Sequence, residues 1–154
     1  MITDRLRRLL PALWAGVLLC TALLATPALF ALLAQADAGR VAGRLLGQEA
    51  WLSLALGLLL LGLERARARA LAEAGQGSVL SAEMLWLLGA LFCTVAGHFG
   101  LQPMLAEARA GQGRWGFGQL HAASALLFGL KTLLVLMLAW RASAPVQLSP
   151  RPSS

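Results

Sequence analysis

Residues 9–34 read LLPALWAGVLLCTALLATPALFALLA, a stretch without one Asp, Glu, Lys or Arg. An α-helix rises ~1.5 Å per residue, and the hydrocarbon core of a bilayer, ~30 Å thick, is crossed by about 20 apolar residues. This run alone is long enough. Three more follow, at Leu45–Leu63, Leu85–Leu101 and Leu120–Trp140. A water-soluble domain of 154 residues cannot bury four such segments. The fold class expected is all-α, a polytopic membrane protein built as a four-transmembrane-helix bundle. One domain is expected over 1–142, with helices over about 5–34, 44–74, 82–102 and 119–141, followed by a disordered cytoplasmic tail over 143–154.

Charge decides orientation and excludes one class of partner. The net charge is +6, but the basic residues sit in short segments flanking the apolar runs and form no nucleic-acid-binding stripe. The lipid bilayer is the expected partner, and nucleic acid is not. Arg5, Arg7, Arg8, Arg65, Arg67, Arg69, Arg141 and Arg151 fall on one side of a four-helix topology, against Arg40, Arg44, Arg109 and Arg114 on the other. The positive-inside rule then predicts a bacterial inner-membrane protein, multi-pass, with both termini cytoplasmic. The basic start, the apolar run and Ala34-Gln35-Ala36 imitate a cleavable secretory signal. The run is far longer than the ~7–15 residues of a signal core, so an uncleaved first span is expected. Trp14, Trp51, Trp86, Trp115 and Trp140 lie near run ends and are expected at the headgroup boundary.

Local signals divide the chain further. Pro27 is expected to kink the first span or free one backbone bond, and Pro103 to end the third. Gln35–Arg44 reads as an interfacial turn or the first turn of the second helix, Ser81 as an N-cap, and Met104–Ala110 as a short surface helix. Small residues four apart, Ala12, Gly16 and Cys20 in one run and Gly89, Cys93 and Gly97 in another, predict close contact of the first and third spans.

Polar side chains inside apolar runs are the functional signal, because each is costly in lipid unless paired or facing water. His98 and Gln102 are one helical turn apart in the third span; Gln119, His121 and Ser124 open the fourth; Glu49, with Gln48, opens the second. The antiparallel course of the third and fourth spans brings them to one level. The expectation is a shared polar pocket of Glu49, His98, Gln102, Gln119, His121 and Ser124 near the outer boundary, with Glu49 accepting hydrogen bonds from His98 or His121. Such a set suits a small polar ligand or proton site. It also suits a metal or an axially ligated haem, with His98 and His121 as ligands, or simply a packing network. Cys20 and Cys93 could form a soft-metal pair but more often act as small apolar residues. Lys131, mid-run, is expected to snorkel, with pairing to a carboxylate such as Glu64 as the alternative. No phosphate loop, zinc-protease motif, dinucleotide fingerprint or nucleophile motif occurs, so no enzyme is expected.

The stretches Thr26-Pro27-Ala28-Leu29-Phe30, Ala38-Gly39-Arg40-Val41-Ala42-Gly43, His98-Phe99-Gly100-Leu101-Gln102-Pro103 and Phe117-Gly118-Gln119-Leu120-His121-Ala122-Ala123-Ser124 carry a resemblance. They resemble a bacterial membrane family of unknown function (DUF4149) related to the animal transmembrane protein 205. The resemblance spans about Arg5 to Trp140 and implies a four-helix integral membrane protein without a settled activity. It departs at Ala122, where a glycine is expected, and at Lys131, where no charge is expected. The functions left open are non-enzymatic binding or movement of a small polar or metal-containing solute, a haem-binding redox protein, and a structural subunit that forms homo-oligomers or joins a complex.

Overall fold

The computed structural model describes residues 2–76, 78 and 80–144. It is all-α, with no strand among the described residues. Span one comprises α1 (Ile2–Cys20), a π-helical turn (Thr21–Ala25) and α2 (Thr26–Leu32). Span two is α3 (Gln35–Glu73); span three is α4 (Ala82–Val95), a π-helical turn (Ala96–Leu101) and α5 (Gln102–Arg109); span four is α6 (Phe117–Ala142). All four are long and apolar enough to cross a membrane. The expected disorder of the tail concerns 145–154, outside the described residues, apart from the last turn after Ala142.

The spans run up, down, up, down in a ring. Span one packs on two and four, and span three packs on two and four. Spans one and three are therefore diagonal, and the expected contact of their small-residue stripes does not form among the described residues. The stripes fail for a concrete reason. A Cβ added at Gly16 or Gly97 would meet nothing within 4 Å, while one at Gly89 would meet Leu134 of span four. The close approach lies elsewhere, at Gly57 of α3, where a Cβ would stand 2.7 Å from Leu91 Cδ2 and 3.3 Å from Trp14 Cη2.

The interior is thin and the outside is apolar. Trp14, Leu18, Leu60, Leu87, Ala90 and Val135 form a packed cluster toward the arginine-rich end. Leu126 is 75% exposed and Phe92 67%, and leucines point outward along every span. An apolar surface of this extent is an interaction surface, and with helices of this length its solvent is lipid. The chain is a multi-pass membrane protein. Trp14, expected at the boundary, is fully buried. Its indole N–H finds a partner on span two, which lets the ring serve the core.

The helix limits correct two expectations. α3 has 39 residues, ~58 Å at the usual rise, so it extends well beyond ~30 Å of hydrocarbon. It starts at Gln35 and not near 44, because Gln35–Arg44 continues the helix outside the apolar run, with Asp37 paired to Arg40 one turn on. Pro103 does not end span three, which stays helical to Arg109. A proline removes one backbone donor and its ring crowds the carbonyl four residues back. The π-helical turn just before it takes up that conflict, and the same device precedes Pro27 in span one. Real stops occur at Gly75 (φ +70°) and Gly111 (φ +71°). At each, the residue after the glycine donates to a carbonyl five residues back: Gln76 N to Leu71 O at 2.8 Å and Gln112 N to Glu107 O at 2.9 Å. This is the left-handed cap that glycine adopts without steric cost. Ser81 caps α4 by accepting from Met84 N at 3.3 Å.

Candidate functional site

Glu49 comes 14 residues after the start of α3 at Gln35, and Lys131 comes 14 residues after the start of α6 at Phe117. Spans two and four run the same way, so both side chains sit at one depth, ~21 Å from those helix starts. Although their helices are diagonal in the ring, the long lysine reaches across its centre. Lys131 Nζ donates to Glu49 Oε1 at 2.9 Å and Oε2 at 2.8 Å. The two residues are 4% and 5% exposed. Ser53, one turn along α3, donates to Glu49 Oε1, and Trp14 Nε1 donates to Ser53 Oγ at 2.8 Å. The lysine ammonium also lies 4.8 Å from the centre of the Phe128 ring. The resulting chain, Trp14 to Ser53 to Glu49 to Lys131, ties spans one, two and four together. No buried side-chain nitrogen or oxygen among the described residues lacks a partner. In hydrocarbon that completeness is what makes the charges tolerable.

The pair borders a cavity of about 320 Å³ that all four spans line. Its polar wall includes Thr21 and Thr26 of span one, Glu49, Thr94, His98, Gln102, Ser124 and Lys131. Phe30, Leu46, Leu105 and Phe128 supply apolar wall. Arg109 and His121 line it at the end away from the arginine-rich termini of the spans. Both π-helical turns border it, through Thr21 and Ala22 on one side and Gly97 and His98 on the other. A widened turn shifts the following side chains around the helix, and here it leaves the cavity wall without a regular ridge of packing.

Each residue expected in the pocket has a definite place. Glu49, His98, Gln102, His121 and Ser124 all line the cavity. Gln119 is outside its lining: its Oε1 accepts from Gly116 N at 3.3 Å and so closes the exposed N-terminus of α6. Gln48 is exposed. Glu49 lies deeper than the outer boundary, and its carboxylate is engaged by Lys131 and Ser53; no hydrogen bond to it from His98 or His121 occurs among the described residues. Lys131 neither snorkels nor meets Glu64, because Glu49 stands at its own depth and Glu64 is taken by Arg7 at 2.7 Å. His98 meets Phe99 edge-on at 4.9 Å, and a Cβ at Gly47 would lie 3.4 Å from its Cε1, so that glycine seats the imidazole against span two. His121 is exposed and stacks on Phe117 at 5.7 Å, with Arg109 5.2 Å from the same phenyl ring. Cys93 lines the buried wall while Cys20 is exposed, so the two do not share an environment. No group of three His, Cys, Asp or Glu side chains gathers in a form that would hold a metal among the described residues.

The sequence reading missed Lys131, Ser53, Thr21, Thr94 and Arg109 as members of this site. The signal available was charge balance. Glu49 is the only acid within Leu45–Leu63 and Lys131 the only base within Leu120–Trp140 apart from no other charged residue, so each is the natural partner of the other.

No curated protein and no solved structure matches this chain. Residues 9–114 match a family described as a domain of unknown function, DUF4149. That stretch covers spans one to three and leaves out α6, which carries His121, Ser124 and Lys131. As the match covers more than half of its residues, the chain belongs to the DUF4149 family.

Proposed function

We propose that the protein binds, or helps to move, a small polar solute in the cavity between its four spans, and that it does so without catalysing a reaction. The observation that carries this reading is the buried Glu49–Lys131 pair on the wall of a cavity of about 320 Å³. Replacing a buried ion pair by apolar residues of similar volume is often neutral or stabilising, so packing alone does not call for one here. Beside a cavity the same two charges offer a donor and an acceptor to a guest. His98, Gln102, Thr94 and Ser124 add neutral or switchable hydrogen-bonding groups, while the apolar wall limits how many waters compete. The volume suits a metabolite-sized molecule and not a long chain.

The charge asymmetry supports an orientation in a bacterial inner membrane with both termini in the cytoplasm. The cavity then faces the periplasmic side, with Arg109 and His121 at its mouth.

The test compares the purified protein with a His98→Ala/His121→Ala variant. Released small molecules and metals are measured after denaturation, together with the melting temperature in detergent. A polar solute retained by the wild type and lost from the variant is expected. Equal retention and equal melting would end the reading.

A further inference from the structure

A second cavity, of about 200 Å³, lies at the opposite end of the bundle. We propose that it is a phosphate-binding site whose occupant is the headgroup of an anionic phospholipid. Its polar wall is formed by Arg7, Arg8, Arg67 and Arg141 with Glu64 and Glu83. Four guanidinium groups face two carboxylates there, an excess of two positive charges.

The carboxylates hold some of the arginines in place without neutralising the set. Arg7 donates from Nε to Glu64 Oε1 at 2.7 Å and approaches the same oxygen with Nη2 at 2.7 Å. Arg141 Nε lies 3.1 Å from Glu83 Oε1, and its guanidinium lies 5.3 Å from the centre of the Trp86 ring. Two planar forks are thus fixed on spans one and four. Arg67 reaches Glu64 only at 3.9 Å, and Arg8 is exposed at the rim. Guanidinium groups presented in this way match phosphate oxygens by paired N–H donors, which ammonium groups do not reproduce.

The position favours a lipid as the source of the phosphate. Pro11, Leu60, Leu87 and Leu138 floor the cavity, so a polar rim stands directly over apolar wall. A headgroup seated among the arginines leaves its acyl chains beside the outward leucines of the spans. A bilayer leaflet supplies such headgroups at high local concentration, and each basic residue near an anionic surface adds about 1 kcal/mol of attraction. The inference is independent of the solute cavity and of what that cavity binds.

The experiment uses the whole protein in vesicles of phosphatidylcholine and phosphatidylglycerol at 3:1, released into native mass spectrometry. The wild type is expected to retain one phosphatidylglycerol in clear preference to phosphatidylcholine. Arg8→Gln/Arg67→Gln spares the Arg7–Glu64 and Arg141–Glu83 contacts and is expected to lower retention about tenfold or more. Its melting temperature without anionic lipid reports folding; should it fail to fold, Arg8→Gln alone is used. A parallel arm adds inorganic phosphate to protein in neutral detergent. Saturable phosphate binding that the variant loses, with no lipid preference, assigns the site to free phosphate and overturns the lipid headgroup. Lipid and phosphate retention unchanged in the variant, or absent from the wild type, overturns the site altogether.

Discussion

Lys131 Nζ lies 2.9 and 2.8 Å from the two carboxylate oxygens of Glu49, across the diagonal of the four-span ring. The two backbones are not neighbours, so the contact is made by the reach of the lysine stem. Ser53 and Trp14 extend it to span one. Three of four spans therefore meet through one polar chain in the middle of an apolar bundle, and the same chain forms part of the wall of the larger cavity. Stability and solute recognition are coupled at this point.

Removing one member of the pair leaves the other buried and uncompensated. Lys131→Met and Glu49→Gln are each expected to destabilise the folded protein by about 3–5 kcal/mol. The double variant is expected to recover much of that loss, giving a strong non-additive term in a double-mutant cycle. Unfolding in a denaturing detergent titration measures it. Additive losses would mean that the two charges do not depend on each other.

How much of this was legible in sequence follows from range. The four spans were, since hydropathy over 20 residues is a local property. The Ser81 cap was as well, because it acts within three residues. The Glu49–Lys131 pair spans 82 positions, and its recognition needed a common depth. That depth was misjudged when the second helix was begun near 44, which lifted Glu49 to the outer boundary. The small-residue stripes misled for a different reason. Spacing by four identifies a face but not the neighbour it meets, and the ring order placed spans one and three on a diagonal. Gln119 has the composition of a pocket residue but sits where the start of α6 needs a partner for Gly116 N.

Glycines can separate true close contacts from stripe residues. Gly57→Ala places a methyl group 2.7 Å from Leu91 Cδ2 and 3.1 Å from its Cγ, which forces the leucine to shift. A loss of about 1–3 kcal/mol is expected from overpacking. Gly16→Ala adds a methyl group with nothing within 4 Å. It is expected to leave stability unchanged or slightly raised, since alanine is the better helix former. Thermal melting of both variants in one detergent checks the contrast.

Trp14→Phe keeps most of the buried aromatic volume but deletes the indole donor to Ser53 Oγ. A loss of about 1–3 kcal/mol is expected from the missing bond and the imperfect fit. Trp140 is 83% exposed, and Trp140→Phe is expected to change stability by less than about 0.5 kcal/mol. Equal effects of the two substitutions would contradict a core role for Trp14.

The proposed orientation is tested by labelling single cysteines in intact bacterial cells. With Cys20→Ser and Cys93→Ala as background, Arg114→Cys and Arg69→Cys report opposite ends of the bundle. Arg114 is exposed in the connection that follows α5, and Arg69 is exposed near the end of α3 that carries Arg65 and Arg67. Both lie outside the apolar runs, so a membrane-impermeant maleimide can reach either from its own side. The excess of arginines at the Arg69 end predicts that Arg114→Cys is labelled in intact cells and Arg69→Cys only after lysis. The reverse pattern would turn the larger cavity toward the cytoplasm. It would also move the arginine-lined cavity to the outer leaflet, away from the negative surface potential that favours its proposed occupant.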